Sequence, residues 1–312
     1  MSVSPLASSL HDRYPHRATS WRLRTGTLQL GRRPLLMGVV NVTPDSFSDG
    51  GRFFGVDAAV EQALQLVADG ADLLDIGGES TRPYAEVVDA GEEQRRVVPV
   101  IERLARQTDV PISVDTSKAT VARAAIDAGA QVINDVTGFD GDSQMIAVAR
   151  ETGAGVCAMH MHGTPQTMQD DPRYGDVVAE ILEYLRHRRD LLLHAGIERE
   201  RICLDPGIGF GKTHQHNLTL MAHCGRFHEL CCPVLVGHSR KGFLAKLLAD
   251  KDVSRDAATA GGALALAAQG VQVIRVHNVR LVREALLAFE ASGGIDGQEL
   301  VLANAAPCSA GG

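Results

Sequence analysis

The chain has 312 residues, 45% of them hydrophobic, with a net charge of −7 at neutral pH and an isoelectric point near 5.9. That length suffices for one large core and lies in the range where an α/β barrel is still a single domain. The acidic balance argues against nucleic acid or an anionic membrane as partner, because both need a basic surface, so any anionic ligand must be met locally.

No apolar run has the length of a transmembrane helix, and the first twenty residues lack the apolar centre of a secretory signal. Residues 1–20 read as a disordered tail, with His11, Arg13, His16, Arg17 and several serines set against Asp12. This composition only faintly suggests an organelle transit peptide. The six cysteines (157, 203, 224, 231, 232 and 308) show no C-x-x-C spacing and fall mostly in apolar segments. They read as buried thiols of a reducing cytoplasm.

After the tail, residues 21–30 alternate apolar and polar around Gly26, which predicts a small hairpin closing one end of the body. From Leu35 onward short apolar runs alternate with longer segments of helical spacing. The candidate strands are 35–42, 72–77, 111–116, 132–136, 155–161, 202–206, 233–238 and 272–277. The helical segments are 57–69, 91–107, 118–128, 143–152, 177–195, 216–229, 240–268 with a break near Asp252 to Asp256, and 280–292. In 177–195, Val178, Ile181, Leu182, Leu185 and Leu192 share one face at spacings of three and four. Near-continuous apolar strands are those covered on both faces of a parallel sheet. Eight such units in one domain, 21–292, predict a (β/α)8 TIM barrel with the N-terminal β-hairpin closing its bottom, and an open doubly wound sheet is the alternative. Residues 293–312, rich in Gly and Ala, read as a flexible C-terminal tail.

A barrel places its site at the C-terminal ends of its strands, and the polar residues collect there. The runs end, in order, in Asn41, Asp75, Asp115, Asn134-Asp135, His160-Met161-His162, Asp205, Ser239-Arg240-Lys241, and Arg275 with His277. A single polar residue closing an apolar run is often only an exit to solvent, but here all eight runs do it. Asp115, Asn134 and Asp205 form an acceptor-rich group. A carboxylate offers two adjacent acceptors and an amide one donor and one acceptor, which suits the edge of a nitrogen heterocycle. The bland reading is ion pairing with Lys212 or Lys241.

Asn41, Arg82, Arg275 and His277 form an anion-seeking group. Arg275 and His277 are two apart on one strand and so share a face, which suits a diphosphate. Asn41 could complete the shell of a Mg²⁺ that mostly holds water and phosphate oxygens. Ser239-Arg240-Lys241 opens a predicted helix, whose N–H groups favour an anion such as a carboxylate, or it is simply a serine cap with two solvated bases. The loops 43–56 and 78–91 are longer than ordinary βα turns and read as lids, with Phe47 and Phe210 as aromatic faces for a ring.

Two motifs need weighing. In Asp205-Pro206-Gly207-Ile208-Gly209-Phe210-Gly211-Lys212-Thr213 the glycines permit a sharp turn and close backbone approach. The spacing from Gly207 to Gly211-Lys212-Thr213 is one residue short of a nucleotide phosphate loop. His160 and His162 have the H-x-H form of zinc hydrolases, but strand one supplies no further histidine.

Asn41-Val42-Thr43-Pro44-Asp45-Ser46-Phe47-Ser48-Asp49-Gly50-Gly51, Asp75-Ile76-Gly77-Gly78-Glu79-Ser80-Thr81-Arg82-Pro83, Asp115-Thr116, Ile133-Asn134-Asp135, the glycine loop, Ser239-Arg240-Lys241 and Arg275-Val276-His277 closely resemble the dihydropteroate synthase family, from about Leu35 to Glu290. The resemblance implies a (β/α)8 transferase of folate biosynthesis, a sulfonamide target. It joins 7,8-dihydropterin-6-ylmethyl diphosphate to 4-aminobenzoate, giving 7,8-dihydropteroate and diphosphate. By matching motif, Asp115, Asn134, Asp205 and Lys241 would bind the pterin. Asn41, Thr81, Arg275 and His277 would bind the diphosphate, with Asn41 as Mg²⁺ ligand. Phe47, Thr81, Arg82, Pro83, Phe210 and Ser239 would bind aminobenzoate. Lys241, Arg275, His277 and Asp115 would carry the catalysis, and no general base is obvious. The resemblance further implies a cytoplasmic homodimer with small-molecule substrates and neither nucleic acid nor membrane as partner. Departures are Tyr84, where Gly is typical, Asn278, where Asp is usual, and the less common His238 and Gly242. The rival readings are a pterin-binding methyltetrahydrofolate methyltransferase, which would have no use for Arg275 and His277, and a non-catalytic pterin-binding paralogue.

Overall fold

A computed structural model of the protein describes residues 9–43, 52–80, 87–164, 167–250 and 252–298. Phe47, Thr81, Arg82, Pro83 and Tyr84 lie outside the described residues.

Eight parallel strands form one sheet: β3 (Leu35–Asn41), β4 (Leu73–Gly77), β5 (Ile112–Asp115), β6 (Val132–Asp135), β7 (Gly155–Met159), β8 (Ile202–Asp205), β9 (Leu235–Val236) and β10 (Val273–Val276). Each of β3 to β7 pairs with its successor, β10 pairs with both β9 and β3, and a parallel bridge between Leu204 and Val234 joins the remaining edges. The sheet therefore closes on itself, and the open doubly wound alternative falls. Strand seven is shorter than the expected 233–238, because Pro233 offers no N–H and pairing has ended by Gly237.

The helices α2 (Arg52–Ala68), α3 (Ala90–Leu104), α4 (Ala119–Asp127), α5 (Met145–Thr152), α6 (Val177–His194), α7 (His214–His223), α8 (Gly242–Leu248), α9 (Asp256–Ala268) and α10 (Val279–Ala291) surround the barrel. The break expected near residues 252–256 separates α8 from α9. The expected helix 216–229 instead ends at His223 and continues as a 3₁₀ turn over Cys224–Leu230. In α6 the apolar face named above is buried, and the Asp176 carboxylate caps the Val178 and Ala179 N–H groups at 3.0 Å. Among the described residues, no helix is long and apolar enough to cross a membrane.

The hairpin β1 (Ser20–Arg22) and β2 (Thr27–Gln29) lies across the N-terminal ends of the strands. Its Trp21 is fully buried, donates from Nε1 to the Arg201 carbonyl at 3.0 Å, and packs with Leu23 and Leu30 in one cluster with Met37, Leu73, Val132, Cys157, Cys203, Leu235 and Val273. These seven strand residues form an inward-facing layer of the barrel that the plug covers. Two positions further along each strand, on the same face, come Val39, Asp75, Asn134, Met159, Asp205, Gly237 and Arg275.

The tail departs from expectation at both ends. Residues 9–19 are ordered: α1 (Leu10–Arg13) has a reciprocal Ser9–Asp12 cap, and Leu10 is buried. Arg17 donates to the carbonyls of Gly270 at 2.7 Å, Leu30 at 3.1 Å and Gly31 at 2.7 Å. At the other end Ile295 and Asp296 are buried, and Arg32 pairs with Asp296 at 3.1 Å. Arginine bonded to backbone carbonyls leaves no apolar pattern in a sequence, which is why composition misses these segments.

Candidate active site

Asp75 stands one layer above the plug and is fully buried. Its Oδ2 accepts from Arg275 Nε at 2.6 Å and from Asn134 Nδ2 at 3.1 Å, while Oδ1 has no hydrogen-bond partner. Arg275 Nη2 donates to Asp115 Oδ2 at 2.9 Å. Four side chains from β4, β5, β6 and β10 thus form one connected set across the barrel mouth. Burial works against the guanidinium charge, but Asp75 and Asp115 more than offset it. Burial pushes the Asp115 carboxyl up to about 7, with Arg275 opposing and Asp75 and Glu93 reinforcing the rise. The sequence shows Asp75 only as a strand-end residue; its signal is a carboxylate one inward-facing position below the pair Gly77 and Asp115.

Across the mouth, Asp205 ends β8 and its Oδ1 accepts from the Gly207 N–H at 2.7 Å. Burial raises this carboxyl, and the Lys241 charge and the Gly207 N–H act in the opposite direction. Lys241 donates to the Ile208 carbonyl, and its ammonium lies 4.2 Å from the centre of the Phe210 ring. Burial lowers Lys241 to about 7, with Asp205 opposing.

The glycine loop owes its shape to contacts that only glycine permits. Gly207 has φ +67°, and a Cβ there would sit 1.9 Å from the His160 carbonyl oxygen. Gly209 has φ +86°, and its missing Cβ leaves room for the Lys241 stem, which would otherwise approach to 2.6 Å. Lys212 lies beneath the loop, 2% exposed, with Nζ 2.9 Å from His160 Nδ1 and donating to the Phe210 carbonyl at 2.8 Å. It therefore makes no ion pair with Asp205. His160 has Lys212 at Nδ1, and its ring packs edge-on against Tyr184 at 4.7 Å.

Ser239 does not cap a helix. Its Oγ lies 2.9 Å from His277 Nδ1, and α8 starts three residues later with Lys241 at the N-cap. Arg240 has φ +57° and turns away to Asp256, with bonds of 2.6 Å and 2.9 Å. Asn278 caps α10 through the Leu281 N–H at 3.2 Å and donates to Asp256 Oδ2 at 3.0 Å. An Asp there would set a second carboxylate against Asp256, so the amide fits this surrounding. His238 is buried against α9, 2.8 Å from the Thr259 carbonyl, and burial lowers it to about 4. Asn41 is half-buried at the end of β3.

At the entrance of the second long loop, Lys118 bridges Glu79 at 2.7 Å and the fully buried Glu93 at 2.5 Å. Glu79 in turn accepts from the Val88 N–H at 2.8 Å. This anchor was not anticipated, since its members are separated by 39 and 25 residues.

A sequence profile of the pterin binding enzymes matches residues 37–277. The chain is 44% identical over 259 residues to dihydropteroate synthase of Escherichia coli K12, covering 83% of this chain and 92% of that one. The chain belongs to the dihydropteroate synthase family. It is 43% identical to the Synechocystis dihydropteroate synthase over 255 residues, 81% of this chain and 88% of the relative. Among solved structures, Xanthomonas albilineans dihydropteroate synthase with 4-aminobenzoic acid superposes with a TM-score of 0.82 at 44% identity, covering 88% of this chain and 98% of that one. The same enzyme in complex with 7,8-dihydropteroate gives a TM-score of 0.79 at 42% identity, with 87% and 98% covered. A dihydropteroate synthase is a transferase, and the rival methyltransferase and binding-protein readings are set aside with this membership.

Proposed function

We propose that this dihydropteroate synthase divides its work between the two halves of the barrel mouth. Asp115, Asn134, Asp205 and Lys241 hold the dihydropterin. Arg275, His277, Asn41 and Thr81 hold the diphosphate. Phe47, Thr81, Arg82, Pro83, Phe210 and Ser239 shape the aminobenzoate subsite. The observation that carries the reading is the hydrogen-bonded set of Asp75, Asp115, Asn134 and Arg275, facing Asp205 and Lys241 across the mouth. It offers carboxylates to a donor-rich heterocycle beside a guanidinium suited to phosphate oxygens.

Breaking the C–O bond to diphosphate puts negative charge on the leaving group and positive charge on the pterin methylene. Arg275 and His277 stabilise the first, and the pterin, held against ionised Asp115 and Asp205, spreads the second. The arylamine attacks the methylene carbon and then loses a proton to solvent or to the departing diphosphate. Positioning matters more than activation for this weak nucleophile.

Asn41 supplies one neutral oxygen, and among the described residues no three His, Cys, Asp or Glu converge as a metal site. That donor set suits a Mg²⁺ delivered with the diphosphate and mostly ligated by water and phosphate oxygen. When bound, the ion would neutralise charge on the leaving group. The enzyme acts in the cytoplasm as a homodimer, a reading supported by the family resemblance and by the free thiols of Cys157, Cys203, Cys224, Cys231 and Cys232.

The test is dihydropteroate formation from dihydropterin diphosphate and Mg²⁺, with and without 4-aminobenzoate. Diphosphate release should depend on aminobenzoate. Lys241→Ala should abolish it, and Asp205→Asn should weaken dihydropterin affinity by about tenfold or more. Unchanged affinity in Asp205→Asn would remove that residue from the pterin subsite.

A further inference from the structure

Every carbonyl from Ile208 to Gly211 accepts a hydrogen bond from a side chain. Ile208 takes Lys241, Gly209 takes Gln169 Nε2 at 2.9 Å, Phe210 takes Lys212 at 2.8 Å, and Gly211 takes Tyr174 Oη at 2.9 Å. The five-residue turn 207–211, with glycines in the left-handed region at 207, 209 and 211, has one backbone bond of its own, from the Phe210 N–H to the Gly207 carbonyl at 3.1 Å, so the side-chain bonds to its carbonyls help to fix its path. Two of the four donors, Gln169 and Tyr174, come from the connection between β7 and α6, a segment that the mechanism above does not use. Tyr174 is itself held edge-on by His216 at 5.1 Å and His162 at 6.0 Å. Gly211 admits this arrangement because a Cβ there would meet His162 at 2.6 Å.

We propose that Tyr174 and Gln169 are positioning residues of the transfer, which hold the 208–211 turn so that the Phe210 ring and the Lys241 ammonium keep their stacked geometry. They act through the turn and touch neither substrate. The proposal rests on the placement of Phe210 in the aminobenzoate subsite made above. Its consequence is graded, because Asn134 is set by a barrel strand, whereas Phe210 is set by the turn and Lys241 is tied to the turn through the Ile208 carbonyl. Loosening the turn should therefore weaken aminobenzoate binding most and dihydropterin diphosphate binding less, because Lys241 also holds the pterin.

The experiment compares steady-state kinetics of the full-length enzyme with those of Tyr174→Phe, which keeps the ring and deletes one donor, and Gln169→Leu. Each should raise KM for 4-aminobenzoate by about threefold to tenfold, with a smaller rise of at most about twofold in KM for dihydropterin diphosphate. The double variant should be non-additive, since both donors restrain one element. Amide exchange of Gly209 and Phe210 should quicken in both variants while that of β8 does not. Equal changes in both KM values, or unchanged exchange in the turn, would overturn the proposal. Wild-type enzyme that forms no dihydropteroate would instead overturn the functional reading beneath it, and this one with it.

Discussion

Asp75 carries two donors on one oxygen and none on the other, inside a barrel that excludes water. Such a carboxylate holds Arg275 in place, but the single guanidinium cannot neutralise both Asp75 and Asp115. Burial is the largest cause of two shifts nearby: Asp115 is raised to about 7 and Lys241 lowered to about 7. In the free enzyme Asp115 ionises as pH rises through about 7 and Lys241 loses its proton in the same range. Dihydropterin diphosphate affinity should therefore peak near neutrality and fall on either side. Asp115→Asn should flatten the acid arm and Lys241→Arg the alkaline one, as read by isothermal titration across pH.

Stability runs the other way. Between the unfolded and folded values of Asp115 the native state binds more protons, so its contribution falls as pH rises toward about 7. Above about 7 the unfolded chain binds more protons at Lys241, so stability recovers toward the ordinary lysine range. Thermal unfolding should show a shallow minimum near pH 7, and Lys241→Met should raise the melting temperature there by roughly 2–4 °C.

At the scale of elements, the glycine loop separates two effects that usually travel together. Gly207 and Gly153 have similar φ, +67° and +72°, but a Cβ at Gly153 meets open space whereas one at Gly207 lands on the His160 carbonyl. Gly153→Ala should cost about 1 kcal/mol, the left-handed penalty alone. Gly207→Ala should cost roughly 3 kcal/mol or more, because it adds a backbone collision that only displacement of the loop can relieve. Urea unfolding of the two variants measures the difference, and similar values would show that the loop is free to move.

The same elements show what a sequence discloses. Strands buried on both faces are written as apolar runs, so seven of the eight were legible nearly to their ends, and the polar residues closing them named most of the site. β9 was overestimated because Pro233 and Gly237 lie within an otherwise apolar run. The pairing of Arg275 with Asp75 and Asp115 was not legible, since it joins positions 200 and 160 residues apart and nothing local marks a buried ion pair. The burial of Lys212 was not legible for a related reason, since the turn that precedes it folds over it.

For the whole molecule, the plug and the site occupy opposite ends of one barrel. Trp21→Ala should destabilise the protein by about 3–5 kcal/mol, the usual cost of emptying a large buried aromatic site. At 25 °C the kcat of the folded fraction should stay within about twofold, since Asp75 and Arg275 are positioned by their own strands. A fall in kcat that parallels the loss of stability would show that the two ends are coupled.

Closure of that barrel depends on β10, which pairs with β3 at the start of the sheet and with β9 beside it. The strand that seals the barrel is also the one that brings Arg275. A chain emerging from the ribosome thus carries Asp75 and Asp115 uncompensated through most of its synthesis and receives their counter-charge only in the final fifth of its length. Closure and charge balance thus depend on one strand, so a chain that lacks β10 leaves both an open sheet and an unpaired Asp75 and Asp115.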